Sequence, residues 1–313
     1  MSAVELLSVC KSFGGTPAVD DLSLTVPRGS IYGFIGPNGS GKTTTLRIIL
    51  DILRPDRGTV RVLGSEPRQA RNTRIGYLPE ERGLYKRMRV RPLLRFYGEL
   101  KSGRNNDAEI ESWLERLDLL EHADKRVEAL SKGSSQRVQF VAAVLASPDL
   151  VILDEPFSGL DPVHADSLRQ AILDLRRRGT TVILSTHDMK VAEQMCDFVL
   201  MIFRGRKVLD GTLAEIQARY GTDTIRLRSS LETARLESLP GVENVRNLGH
   251  HRELRLRPGA DPQLLLRLLV DAGPVESFEI TQPSLHDIFL RIAGPAAAAA
   301  APPQLSPSLG GAD

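Results

Sequence analysis

Gly36-Pro37-Asn38-Gly39-Ser40-Gly41-Lys42-Thr43 fits the pattern G-x-x-x-x-G-K-[ST]. It follows a short apolar run, residues 30–35, that reads as a buried strand ending in glycine, and it opens a helical pattern over 43–53. This strand–loop–helix context separates a phosphate loop from a glycine turn before an ordinary helix. The chemistry follows from geometry. Glycines let the backbone curl so that successive N–H groups face phosphate oxygens, and the helix N-terminus adds the positive end of its dipole. Lys42 is then expected to reach the β- and γ-phosphates and the Thr43 hydroxyl to ligate Mg²⁺, with Thr44 beside them in the first turn. On its own such a loop leaves kinases and GTPases open.

A second stretch narrows the choice. Leu150-Val151-Ile152-Leu153-Asp154-Glu155 is an apolar strand ending in two carboxylates, more acid than solubility requires at the end of a buried run. The pair suggests a division of labour: Asp154 holding Mg²⁺ through its water shell, and Glu155 orienting and deprotonating the water that attacks the γ-phosphate. Another buried-strand run, residues 181–185, ends in Thr186-His187-Asp188 and so brings an imidazole to the same sheet edge. Taken alone His187 reads as a surface histidine; in company with the other two motifs it reads as part of the site.

Around these motifs the chain alternates short apolar runs with longer helical patterns through residue 220, which predicts an α/β fold, a sheet covered by helices. Residues 86–147 are helical and charged, as in 108–120, where Ile110, Trp113, Leu114, Leu117 and Leu120 recur at helical spacing; this predicts a helical subdomain inserted into the core. After residue 220 the character changes. Residues 224–228 alternate, 231–239 are helical, 252–257 alternate, 262–272 are helical, and a strand at 275–280 and a helix at 284–292 complete a small α+β domain over 221–293. Its charge alternation reads as a solvated sheet face. Residues 294–313 are mostly Ala, Pro and Gly and read as a disordered tail.

Composition excludes several classes. With 41% hydrophobic and 26% charged residues over 313 positions, the chain is globular, about two domains long. A net charge of +2 is too small to suggest nucleic acid or an anionic membrane as a partner by charge alone. The two cysteines, Cys10 and Cys196, stand in no metal-like spacing, which predicts neither a disulfide scaffold nor a thiolate metal site and fits a reducing compartment. No signal peptide is legible at the start, and no apolar run approaches the ~18 residues that span a bilayer, so any membrane-spanning part would belong to another chain.

Leu130-Ser131-Lys132-Gly133-Ser134-Ser135-Gln136-Arg137, shortly before the strand with the two carboxylates, completes a resemblance. From Val4 to about Gln217 the sequence resembles the nucleotide-binding subunit of an ATP-binding cassette (ABC) transporter, a P-loop NTPase. The resemblance implies that Phe13 stacks on adenine with Val19 nearby, that Glu80 contacts Mg²⁺ and senses the membrane subunit, and that His187 is the switch histidine at the γ-phosphate. It also implies that Ser131, Lys132, Gly133 and Ser134 form a signature loop acting on the partner's nucleotide, and that Ser158-Gly159-Leu160-Asp161 crosses the dimer interface at Asp161.

Two features depart from the commonest pattern: the signature reads Ser131-Lys132-Gly133-Ser134 where Ser-Gly-Gly-Gln is commonest, which puts a cation at Lys132, and Glu80 stands where glutamine is usual. Both look like variants of a bacterial subgroup with the run Leu-Pro-Glu-Glu-Arg-Gly-Leu-Tyr (78–85) and a C-terminal domain ending like 284–292. That subgroup is associated with export-type permeases, including sodium and drug efflux systems. The resemblance therefore implies an ATPase with ATP and Mg²⁺ as ligands, a homodimer around two ATP, and a separate integral-membrane permease that holds it at the cytoplasmic face of the membrane, with no direct nucleic acid. The alternative is a soluble ABC ATPase of DNA repair or translation. Such proteins usually carry a long coiled coil or a second cassette, and the sequence shows neither sustained heptads nor a second phosphate loop.

Overall fold

The computed structural model describes residues 1–67, 74–81, 83–220 and 223–298. It divides into two compact units, Met1–Leu213 and Ala214–Asp313. In the first unit β1 (Ser2–Phe13), β2 (Thr16–Pro27) and β4 (Arg57–Val62) form an antiparallel sheet in the order β2-β1-β4. A six-stranded sheet has the order β5-β6-β7-β3-β8-β9, from β3 (Ile31–Ile35), β5 (Ile75–Leu78), β6 (Leu150–Asp154), β7 (Thr181–Thr186), β8 (Phe198–Phe203) and β9 (Arg206–Gly211). All its neighbours are parallel except β8 and β9.

Burial on both faces explains the unbroken apolar runs of β3, β6 and β7. Successive side chains of a strand point to opposite faces. Along β6, Val151 and Leu153 enter a core shared with α2 (Val90–Ser102), α3 (Asp107–Arg116), α4 (Lys132–Val144) and α5 (Pro162–Arg177). Leu150 and Ile152 enter the opposite core, built with the antiparallel sheet and α1 (Lys42–Ile49). The expectation of a sheet covered by helices is thus corrected on one side, where an antiparallel sheet supplies most of the cover. The helix expected over 43–53 ends at Ile49, because Asp51 turns the chain in the left-handed region at φ 55°. Leu120, expected on the apolar stripe of α3, lies beyond the end of that helix on a 3₁₀ turn and is 49% exposed.

One close approach seats α4 on the sheet. A Cβ added at Gly76 of β5 would lie 2.3 Å from the carbonyl oxygen of Ala143, a backbone atom that cannot swing aside. Gly76→Ala should therefore cost about 1–3 kcal/mol through strain in a packed interior. A urea midpoint unchanged from wild type would refute that contact.

The second unit holds an antiparallel sheet in the order β11-β12-β10-β13, from β10 (Thr224–Ser229), β11 (Val242–Asn247), β12 (Arg252–Leu256) and β13 (Val275–Thr281). Ile225, Leu227, Leu254 and Leu256 pack with Leu236 of α8 (Thr233–Glu237) and with Leu265 and Leu269 of α9 (Pro262–Ala272). Arg226 and Arg228 of the charged face remain 46% and 58% exposed, while charges elsewhere in the unit are more closely paired. Arg246 meets Asp287, and Arg291 donates two hydrogen bonds to the Asp223 carboxylate at 3.0 and 3.1 Å, both partners supplied in part by α10 (Leu285–Ala298). Because that helix runs to Ala298, residues 294–298 are helical and not the start of a disordered tail, in keeping with the high helix propensity of alanine. Residues 299–313, the rest of the expected tail, lie outside the described residues.

Candidate functional site

The phosphate loop connects β3 to α1 and is held by close backbone packing. Gly41, the N-cap of α1, has φ 109°, and a Cβ there would lie 2.4 Å from the carbonyl oxygen of Ala18. At Gly36 the corresponding distance to the Ile202 carbonyl oxygen is 2.2 Å. Glycine is therefore required at both positions by space as well as by conformation. The first N–H groups of α1, those of Lys42, Thr43 and Thr44, have no partner within the helix by its geometry. The Lys42 ammonium donates to the carbonyl oxygens of Gly36 (2.7 Å) and Pro37 (3.2 Å). Burial pushes its pKa down, opposed by the charges of Glu155, Asp154 and Glu80.

Asn38, Gly39, Ser40, Gly41, Lys42, Thr43 and Thr44 line a cavity of about 360 Å³ together with Ala18, Glu80, Asp154 and Glu155. The sheet places the carboxylates there: β6 ends at Asp154 beside the loop that follows β3, and Glu80 follows β5, the neighbour of β6. Asp154 is 1% exposed; one of its oxygens accepts the Thr43 hydroxyl at 3.1 Å, and the other, Oδ1, is buried with no hydrogen-bond partner among the described residues. A buried carboxylate oxygen left open beside a hydroxyl and a second acid is a donor set that fits Mg²⁺. No cluster of three His, Cys, Asp or Glu able to hold a metal occurs among the described residues.

Glu155 has φ 50°, a strained conformation for a residue with a Cβ, and its N–H donates to the Ser185 carbonyl oxygen at 3.0 Å. Its Oε1 accepts the backbone N–H of His187 at 3.0 Å and lies 2.8 Å from His187 Nδ1. A carboxylate only accepts, so this contact assigns the proton to Nδ1. The two residues expected against adenine do not line the cavity: Phe13 is 49% exposed with the Lys11 ammonium 5.7 Å from its ring centre, and Val19 is buried in the core. Ala18, which sequence reasoning passed over, is the lining residue of that strand.

The signature stretch lies elsewhere in the same unit. Ser131 caps α4: its hydroxyl accepts the Ser134 N–H at 3.1 Å and donates to the Ser134 hydroxyl at 3.0 Å. Asp161 caps α5, accepting from the N–H groups of Val163 and His164, and its carboxyl is pushed down to about 2, first by the His164 side chain and then by those backbone bonds. Ser131, Lys132, Gly133, Ser134 and Asp161 line a second cavity, of about 480 Å³, with Arg137 and His164. The Lys132 stem lies over Gly159, where a Cβ would come within 2.7 Å of it. Among the described residues none lines both cavities.

The ABC transporter family matches residues 19–158 of the chain, and the domain described as the C-terminal domain of DrrA1-3-like ATP-binding proteins matches residues 211–293. An uncharacterized ABC transporter ATP-binding protein of Bacillus subtilis, YhaQ, is 38% identical over 288 residues, covering 91% of this chain and 97% of that one. The chain belongs to the ATP-binding proteins of ABC transporters. Members of this family hydrolyse ATP to drive transport, and the fold is that of their P-loop ATPase domain.

Two further relatives carry export or resistance names. The daunorubicin/doxorubicin resistance ATP-binding protein DrrA of Streptomyces peucetius is 33% identical, with 93% of this chain and 92% of that one covered. The Nod factor export ATP-binding protein I of Rhizobium meliloti is 36% identical, with 93% and 88% covered. Among solved structures, an ATP-binding subunit of an ABC transporter superposes with a TM-score of 0.66 at 29% identity, covering 70% of this chain and 94% of that one.

Proposed function

We propose that two copies of this chain close around two ATP molecules and drive a separate integral-membrane permease, in the direction of export. The observation that carries the dimer is the division of the motifs between two cavities of one chain. The phosphate loop and Glu155 line one, the signature loop and Asp161 line the other, and no described residue is shared. A complete site then needs the signature loop of a second copy, so Ser131, Lys132, Gly133 and Ser134 act on the partner's nucleotide and Asp161 lies at the interface.

Within each site Lys42 binds the β- and γ-phosphates, with Gly36, Pro37, Asn38, Gly39, Ser40, Gly41 and Thr44 shaping the backbone cradle. Phe13 and Val19 stay assigned to the adenine end. Thr43, Asp154 and Glu80 are the residues that would hold Mg²⁺, which when bound neutralises charge on the transferring phosphate. Glu155 takes the proton of the attacking water. His187, donating its Nδ1–H to Glu155 Oε1, fixes the carboxylate so that its other oxygen can accept the proton of the water.

Residues 1–220 form the ATP-binding domain in this reading and 221–293 an accessory domain. Among the described residues no helix is long and apolar enough to cross a membrane, which is why the spanning part is assigned to another chain. The permease would hold the protein at the cytoplasmic face of the membrane. Support for docking comes from an exposed aromatic group: Tyr85 (55% exposed) and Phe96 (42%) lie 6.0 Å apart, centre to centre, with Tyr97 beside both. Export rests on the relatives named for drug resistance and Nod factor export. Isolation from native membranes should yield a multispanning chain bound to this one; ribosomal or DNA-repair partners in its place would overturn the transport reading.

Glu80 gives a sharper test. A carboxylate is a stronger Mg²⁺ ligand than an amide, yet it also repels the γ-phosphate unless the metal screens it. Glu80→Gln should raise the Mg²⁺ concentration for half-maximal ATPase and leave metal-free nucleotide binding equal or tighter. An unchanged Mg²⁺ dependence would make Glu80 an ordinary loop residue.

A further inference from the structure

Helix α4 is tied to more of the site than its first turn. Gln136 and Gln139 sit three residues apart on it, one turn after another, and are 4% and 5% exposed. Gln136 Nε2 reaches the carbonyl oxygens of Glu155 (3.5 Å) and Pro156 (3.4 Å), the backbone that carries the carboxylate. Gln139 Nε2 donates to the carbonyl oxygen of Glu81 at 3.2 Å, the residue directly after Glu80. Gln139 Oε1 is buried with no hydrogen-bond partner among the described residues.

A buried amide that uses only its donor is a poor choice for stability, since an apolar side chain of the same size would remove the unsatisfied oxygen and leave only the carbonyl oxygen of the exposed Glu81 in need of water. The one side-chain hydrogen bond that Gln139 makes among the described residues joins the Glu80 loop to the helix whose N-terminus is the signature loop. From this we propose that Gln139 is a positioning residue: it holds the Glu80 loop in register with the signature helix. The proposal rests on the reading of Glu80 as a residue that would hold Mg²⁺. Its mechanical basis is independent of that reading, because β5 already abuts α4 at Gly76 and only the loop beyond β5 needs a second tie.

Gln139→Leu separates positioning from mere packing. It keeps the volume and removes the unsatisfied oxygen, and the exposed Glu81 can take water as its new partner. The melting temperature should therefore stay equal or rise. Hydrogen exchange in the nucleotide-free protein should quicken about fivefold in the peptide ending at Glu81, the size of one neutral hydrogen bond, and nowhere else. The Mg²⁺ concentration for half-maximal ATPase should rise in the same direction as in Glu80→Gln, measured in parallel.

Unchanged exchange at Glu81 overturns the proposal. So does faster exchange throughout the chain with a lower melting temperature, which would make Gln139 a packing residue. A shifted Mg²⁺ dependence in Glu80→Gln but not in Gln139→Leu overturns it as well. If neither variant shifts Mg²⁺ dependence while exchange quickens locally, the metal reading of Glu80 fails and the tie stands.

Discussion

Glu155→Gln should lower steady-state ATP hydrolysis by about 10²–10⁴-fold, the usual loss when a positioned general base is removed. The amide keeps the size of the side chain and can still meet His187 at the oxygen that now receives both the backbone N–H and Nδ1. Lys42, Thr43 and Asp154 are untouched, so binding of ATP with Mg²⁺ should persist. Binding without turnover should then trap the closed state, and the variant should sediment as a dimer with ATP and as a monomer without it. Wild-type turnover by this variant would remove Glu155 from the role of base.

Lys42→Ala should weaken nucleotide binding and lower turnover by about 10²–10³-fold, as for the loss of one preorganised group facing developing phosphate charge. Lys42 is only 6% exposed and its ammonium already bridges the loop's own carbonyl oxygens, so its loss also loosens the cradle. Mixing Lys42→Ala with Ser131→Arg adds a test of geometry. In a mixed dimer one site carries both lesions and the other carries none. ATPase activity that neither variant has alone should appear in the mixture. Failure to recover activity where mixed dimers demonstrably form would contradict sites that act independently across the interface.

The motifs were legible because their chemistry constrains sequence locally. A phosphate loop needs glycine where a Cβ would strike backbone, as at Gly36 and Gly41, and its lysine and threonine must follow at fixed spacing. Strands β3, β6 and β7 were legible because burial on both faces demands unbroken apolar runs. Bulges hid the rest. In β11 the register shifts between Val242 and Asn244, so Val242 and Val245 both face the core although three residues apart, a spacing that does not read as a strand. The antiparallel sheet of β1, β2 and β4 was veiled in the same way: Ser8 and Asp21 both have positive φ and interrupt alternation that is otherwise clear at Leu22, Leu24 and Val26.

Non-local contacts account for what the motifs did not disclose. Ala18 and Val19 are neighbours, and the period of a strand sends one toward the phosphate loop and the other into the core. Nothing in the local sequence says which. Gln139 has no motif value either, since its partner is the Glu81 carbonyl oxygen, a group every residue possesses. Its only signal is polarity: a glutamine in the run Val138-Gln139-Phe140-Val141, on a helix otherwise buried along this stretch.

The central claim is that one chain contains two halves of different sites, and dilution tests it most directly. ATPase activity per molecule should be measured against protein concentration at saturating ATP and Mg²⁺, with sedimentation reporting mass in parallel. The account predicts activity per molecule that rises with concentration and levels off as the 34.4 kDa chain pairs. Constant activity per molecule down to concentrations at which only monomer sediments would contradict it.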